Sequence, residues 1–139
     1  MNNRRKLLVA LGAGALAAPF GSLAQQQGKV WRIGFISSTS HRSGQGDVDA
    51  IVRGLRKLGY AEGRDFAFEL RWADGNMKLV AGFAAELVRL KVDLIVVRST
   101  IAALAAKSAT QSIPVVFTMV SDPVSTGIVN TLARPGGNL

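Results

Sequence analysis

Apolar residues change their spacing several times between residues 30 and 132, and each change predicts a new element of secondary structure. The run Val30 to Ile36 is short, apolar and rich in β-forming residues, which is typical of a buried strand. A polar loop over 37–46 follows it. Apolar residues then recur at helical spacing from Val48 to Leu58, and Gly59 is a suitable residue to end that helix.

The next segment repeats this pattern. Apolar and polar side chains alternate over 66–72, which indicates a strand with one polar face, near an edge of its sheet. A helical face over 80–90 comes next. The short apolar run 94–97 then predicts a second buried strand.

The last third of the chain predicts two more helices around one strand. Ser99 is the expected N-cap of a helix over 101–108, and Pro114 introduces a strand over 115–117. Asp122 and Pro123 are expected to open a final short helix, whose apolar residues are Ile128, Val129 and Leu132.

The predicted order is therefore β-α-β-α-β-α-β-α. Strands that alternate with helices predict an α/β fold, in which a parallel sheet carries helices on both faces. The crossovers are expected to be right-handed, as in Rossmann-like and flavodoxin-like domains.

The first 24 residues have the three parts of a signal peptide. Arg4, Arg5 and Lys6 form a basic start, an apolar stretch runs over 7–20, and the small residues Ser22 and Ala24 precede Gln25. We predict recognition by the export machinery and cleavage near Ala24-Gln25. An apolar stretch of about 14 residues is shorter than the roughly 20 that span a bilayer, although an uncleaved anchor remains an alternative.

Two details of this leader bear on function. Arg4 and Arg5, followed by Leu7 and Leu8, fit a twin-arginine export signal and an ordinary basic start equally well. The run 12–17 matches the dinucleotide-binding pattern of glycines, but that pattern requires a preceding strand. A basic start precedes it here, so we predict no dinucleotide cofactor.

Composition excludes several classes of protein. The chain of 139 residues has a net charge of +8, and after residue 24 its basic residues form no cluster, so we expect no nucleic-acid partner. It has no cysteine and one histidine, His41. Thiol chemistry, a lipid-accepting cysteine and a cluster of His or Cys metal ligands are therefore excluded, and we expect a free protein in the periplasm.

Candidate ligand-binding residues lie in three polar loops that follow predicted strands. Ligands of open α/β sheets bind beyond the carboxyl ends of the strands, and hydroxyl groups suit small polar solutes. Ser99 and Asp122 have an alternative role as helix caps, and the serine loop has one as a solvated connection. The predicted ligand-binding residues are Ser37, Ser38, Thr39, Ser99, Thr100, Ser121 and Asp122.

Catalytic signatures are absent from the sequence. There is no Gly-x-Ser-x-Gly elbow and no phosphate-binding Gly-x-x-x-x-Gly-Lys loop, and no acid/base pair emerges in the site loops. We therefore predict no catalytic residues and no enzyme. The alternative, an exported hydrolase on a similar sheet, would depend on His41 and Ser38.

Several segments, in order, resemble a family of bacterial proteins. Residues 53–63 (RGLRKLGYAEG), 69–75 (ELRWADG) and 84–93 (AAELVRLKVD) carry the resemblance, together with 102–107, 113–117, 122–124 and 132–138. The chain resembles ABC-transporter substrate-binding proteins related to those that bind tryptophan and tyrosine. The resemblance covers nearly all of residues 30 to 139.

This resemblance implies a type I periplasmic binding protein. Such proteins trap a small solute, often an amino acid or aromatic acid, between two α/β lobes and then dock on a membrane permease. By analogy, the predicted serine, threonine and aspartate residues would line the wall of the first lobe.

The chain departs from the family in two respects. Arg98 stands where the family usually has a small residue, and it would pair with an anionic ligand or block the usual one. The sequence also stops at Leu139, near the expected start of the second lobe. We therefore expect the N-terminal lobe alone. A truncated, non-functional product and a stand-alone interaction module remain alternatives.

Overall fold

A computed structural model describes residues 28–139, so the predicted signal peptide lies outside the described residues. The strands are β1 (Trp31–Ser37), β2 (Phe66–Trp72), β3 (Leu94–Arg98) and β4 (Val115–Thr118). The helices are α1 (His41–Lys57), α2 (Lys78–Arg89) and α3 (Thr100–Ala109). In residues 28–139, no helix is both long and apolar enough to cross a membrane.

The four strands form one parallel sheet in the order β2-β1-β3-β4. Strand β2 lies at an edge, which confirms the prediction made from its polar face. The chain builds outward from β1 in one direction to β2 and then in the other direction to β3. Strands β1 and β3 therefore flank the point at which the strand order reverses, where open α/β sheets bind their ligands.

Helices cover both faces of the sheet, as predicted. On one face, Val48 of α1 packs with Ile33 and Phe35 of β1. On the other face, Leu87 of α2 and the alanines of α3 pack with Ile36 and with residues of β3. Residues are buried on alternate sides along each strand, because successive side chains of a strand point to opposite faces.

Helix α1 begins earlier than the apolar pattern predicts. The predicted loop over 37–46 is only a short connection, because α1 starts at His41. The Ser40 hydroxyl caps it and accepts a hydrogen bond from the Ser43 backbone N–H at 3.3 Å. The first turn is polar because His41, Arg42 and Ser43 are exposed.

The predicted fourth helix does not form, and this prediction is wrong. Residues 119–139 make turns, in which Asp122 has a φ of 40° and Gly127 a φ of 71°. Ile128 and Val129 are nevertheless buried against the second face, whereas Leu132 is 72% exposed. Ile128 and Val129 are adjacent and both reach the core from a turn, so their burial does not require a helix.

The end of the described chain returns to β4. The Val115 backbone N–H donates to the Asn138 carbonyl oxygen at 2.7 Å. The Asn138 side-chain amide donates to the carbonyl oxygens of Thr110 and Ile113. The segment after α3 is therefore fixed to the sheet without a helix.

Candidate functional site

The three predicted loops lie side by side at the carboxyl edge of the sheet. Ser37 and Thr118 both pair in register with Arg98, so the ends of β1, β3 and β4 are level. The Ser99 backbone N–H donates to the Thr118 carbonyl oxygen at 3.2 Å. The Ser121 backbone N–H donates to the Thr100 hydroxyl at 3.3 Å, which joins the second loop to the third.

The last residue of each strand contributes to a row of side chains on the α1 face. Strand alternation places Trp72 and Ser37 on the same side as Phe35, and Arg98 on the same side as Val96. We call this set the terminal row. It runs across the sheet in the order Trp72, Ser37, Arg98 and Thr118.

Within the first loop, Ser37 has a structural position. Its side chain is fully buried, and its hydroxyl lies 2.9 Å from the Thr39 hydroxyl. The same hydroxyl accepts a hydrogen bond from the Thr39 backbone N–H at 3.2 Å. Ser38 and Thr39 are half-buried, and their carbonyl oxygens accept from Gly75 and Asp74. The loop after β1 is therefore tied to the loop after β2.

Ser99 combines the predicted cap with a strained backbone. Its hydroxyl accepts a hydrogen bond from the Ala102 backbone N–H at 3.3 Å and caps α3, as predicted. Its φ of 122° and ψ of 157° lie in a region that glycine alone adopts readily. Strain of this kind is concentrated at functional sites, and Thr100 follows it as the first residue of α3.

Asp122 caps a turn rather than a helix. Its carboxylate accepts a hydrogen bond from the Ser125 backbone N–H at 3.1 Å. The hydrogen bonds from Ser125 hold the pKa of the Asp122 carboxyl below its ordinary value. Asp122 and Ser121 are both exposed, so each remains accessible to a ligand.

Trp72 is a neighbour of the site that the residue patterns did not single out. Its ring centre lies 5.2 Å from that of Phe35 and 5.3 Å from that of His41, whose ring meets it edge-on. Gly44 of α1 is buried against the same ring. The signal that could have found Trp72 was its place as the last residue of a predicted strand.

Arg98 makes an ion pair across to α1. Its Nε atom lies 2.5 Å from Oδ2 of Asp47, and the side chains are 20% and 42% exposed, respectively. The contact is ionic only, because neither atom has a partner in hydrogen-bonding geometry in residues 28–139. Both atoms are buried, so their capacity for hydrogen bonds is unmet.

In residues 28–139, neither the clefts nor the side chains able to bind a metal indicate a second binding site with the predicted chemistry. The clefts of about 380 Å³ beside α1 and β2 and about 270 Å³ at the amino edge contain none of the predicted ligand-binding residues. The part of the chain described here holds no group of three or more His, Cys, Asp or Glu residues able to bind a metal ion. The ring of His41 lies edge-on against that of Trp72, and in residues 28–139 no ion pair joins His41 to an acid.

Comparison with known sequences gives a consistent result. Residues 32–139 match a family model described as ABC transporter substrate binding protein. The tyrosine-binding protein of Clostridioides difficile is 35% identical over 107 residues, which are 77% of this chain and 31% of that protein.

Solved structures agree with this match. A conserved domain protein from Vibrio cholerae superposes with a TM-score of 0.74 at 33% identity, over 79% of this chain and 37% of that one. An ABC domain from Streptococcus pneumonia, in complex with L-Trp, gives 0.72 at 31% identity, with the same coverage of both chains. The chain thus spans about a third of the length of these relatives.

Proposed function

Because this chain belongs to the ABC transporter substrate-binding protein family, we propose that residues 28–139 are the first lobe of a solute-binding protein. The carboxyl edge of its sheet forms one wall of the site. The small solute is an amino acid or an aromatic acid, which is held between this lobe and a second one. The fold is a parallel α/β sheet that the chain shares with its solved relatives, and a more distant neighbour with the same fold is described as a periplasmic binding protein.

The observation that carries this proposal is the meeting of three hydroxyl-bearing loops at the point where the strand order reverses. Hydroxyl groups both donate and accept hydrogen bonds, so they can bind the ammonium and the carboxylate of one solute. Helices α1 and α3 also begin at this edge, and the free N–H groups of a helix start favour a carboxylate. The named tyrosine-binding and L-Trp-bound relatives support the solute class.

The same proposal extends to location and partners. Residues 1–24 act as a signal peptide, which delivers the protein to the periplasm. There it passes its solute to the membrane permease of an ABC importer. Its relatives are described as substrate-binding proteins, and this supports a role in binding rather than catalysis.

Isothermal titration of the full-length protein with L-tyrosine, L-tryptophan and simple aromatic acids tests this function. We expect saturable binding of at least one of them. Ser38→Ala should weaken that binding about two- to tenfold, the value of one hydrogen bond. The hydrogen bonds of the first loop use the hydroxyls of Ser37 and Thr39, so this change should spare the fold.

Ser108→Ala is the matched control, because Ser108 is an exposed residue of α3 away from the carboxyl edge. It should bind the solute as the unchanged protein does. Binding that is equally weak in both variants would remove the site from the first loop. Absence of binding to every member of the panel would contradict the proposed solute class.

A further inference from the structure

Arg98 occupies the centre of the candidate site. It is the last residue of β3, in register with Ser37 on one side and Thr118 on the other. It is also the cation of the terminal row, and its side chain is largely buried at 20% exposure. A guanidinium in that position is next to the loops that the proposed function assigns to the solute.

The ion pair with Asp47 leaves the binding capacity of Arg98 largely unused. A guanidinium carries five N–H donors in a planar fork, which matches the two oxygens of a carboxylate. Asp47 instead approaches Nε at 2.5 Å without a hydrogen-bonding direction. The pair therefore neutralises the charge of Arg98, but it does not satisfy its donors.

Asp47 is free to leave this contact. Its side chain is 42% exposed and lies in the first half of α1, so water can solvate its carboxylate when Arg98 turns away. The contacting oxygen of Asp47 is itself buried, so solvent screens the pair only through the exposed part of the Asp47 side chain. A carboxylate that meets the guanidinium in two-point geometry would add hydrogen bonds that Asp47 does not make, and this favours the exchange.

We propose that Arg98 binds the carboxylate of the solute, and that Asp47 is its counter-ion only while the site is empty. This inference rests on the proposed function and narrows the solute to one that carries a free carboxylate. On binding, the solute carboxylate takes the fork of Arg98 in two-point geometry, and Asp47 returns to water. The Asp47–Arg98 pair is thus a competitor of the solute.

A permanent tie between α1 and β3 is the other interpretation of the same pair. The two interpretations predict opposite effects of Asp47→Asn on the affinity for the solute. If the pair only ties the helix to the sheet, loss of the charge leaves solute affinity unchanged or lower. If Asp47 competes with the solute, loss of its charge raises the affinity for carboxylates.

The experiment is isothermal titration of the full-length protein and three variants with L-tyrosine, L-tryptophan and their carboxamides. Asp47→Asn should tighten binding of the acids about threefold or more, and Arg98→Gln should weaken it about tenfold or more, as expected when a charge-assisted pair is gained or lost. The carboxamides should bind more weakly than the acids, and the Asp47→Asn change should not tighten them.

Asp49→Asn is the matched control, because Asp49 lies on the same helix and accepts a hydrogen bond from Gln45 rather than contacting Arg98. It changes the net charge equally and should leave all affinities unaltered. An Asp47→Asn variant whose affinity for the acids is unchanged or weaker, or an Arg98→Gln variant that binds them normally, would overturn the inference while the proposed function stands. A wild-type protein that binds neither these two acids nor the simple aromatic acids overturns both.

Discussion

The contact between Gly44 and Trp72 gives a sharp test of how the candidate site is supported. A Cβ atom added at Gly44 would overlap Cζ3 of Trp72 and lie 3.0 Å from its Cη2. Trp72 cannot simply retreat, because the Phe35 ring is 5.2 Å away and the His41 ring 5.3 Å away, centre to centre. Gly44→Ala should therefore displace the start of α1 or the indole.

Two effects of this change oppose each other. Alanine favours a helix over glycine by about 1 kcal/mol. Forcing extra atoms into a packed site costs about 1–3 kcal/mol. The free energy of unfolding of Gly44→Ala should therefore stay level or fall by up to about 2 kcal/mol relative to the unchanged protein.

Gly54→Ala provides the matched control within the same helix. Gly54 is exposed, and an added Cβ there meets nothing within 4 Å. This variant should gain the full helix preference, about 1 kcal/mol. Urea unfolding followed by far-ultraviolet circular dichroism measures both, and the two variants should differ by about 1–3 kcal/mol.

A double variant identifies the cause of that difference. With Trp72→Leu as the background, Gly44→Ala should become stabilising, because the ring that it would meet is gone. Equal stabilisation by Gly44→Ala and Gly54→Ala in the natural background would refute the packing of Trp72 against α1. The reasoning that places Trp72 beside the first loop would then fail as well.

Two further predictions concern the two edges of the sheet. Ser99→Gly should raise the free energy of unfolding by about 1 kcal/mol, because glycine relieves strain worth about 1–3 kcal/mol and replaces a cap at little cost. Ser99→Ala should lower the free energy of unfolding. Urea unfolding measures both variants, and the opposite order of stability would contradict the strain at Ser99. The hydrogen bond from Lys29, followed by that from the Arg32 backbone N–H, holds the pKa of the Asp93 carboxyl below its ordinary value. A lowered pKa contributes stability above the ordinary pKa of an aspartate, and this contribution is lost as the pH falls through the lowered value. Asp93→Asn should therefore be less stable than the natural protein at pH 7, and the difference in the free energy of unfolding should narrow as the pH falls below the ordinary pKa of an aspartate. A difference independent of pH would exclude the charge as its cause.

Much of the fold could be predicted from the sequence, because buried apolar residues recur along the chain at the spacing of a strand or a helix. Strand β2 forms over the predicted residues, since its apolar side chains face α1 while polar ones lie between them. Ser99 caps α3 because its hydroxyl satisfies an N–H group that the helix leaves free. The start of α1 shows no such spacing of apolar residues, because its first turn is exposed. The sequence marks this start by the N-cap residue Ser40 alone.

The candidate site was predictable only in part. The rule that ligands bind at the carboxyl ends of parallel strands located three loops, and the register of β1, β3 and β4 brings them together. The pairing of Arg98 with Asp47 joins residues far apart in sequence and depends on where α1 crosses the sheet. No local pattern encodes that crossing, so the ion pair needed the tertiary structure.

The two edges of the sheet differ in how completely their polar groups are satisfied. At the amino edge, Asp93 accepts hydrogen bonds from Lys29 and from the Arg32 backbone, and its own backbone N–H donates to Arg32. At the carboxyl edge, Ser99 is strained, and buried atoms of Arg98 and Asp47 lack hydrogen-bond partners. Sequences that fold well violate local rules mainly at functional sites, because a ligand supplies there what the chain alone leaves unmet. The unmet Nε donor of Arg98 is therefore the strongest reason to expect the solute, and its carboxylate, at this edge.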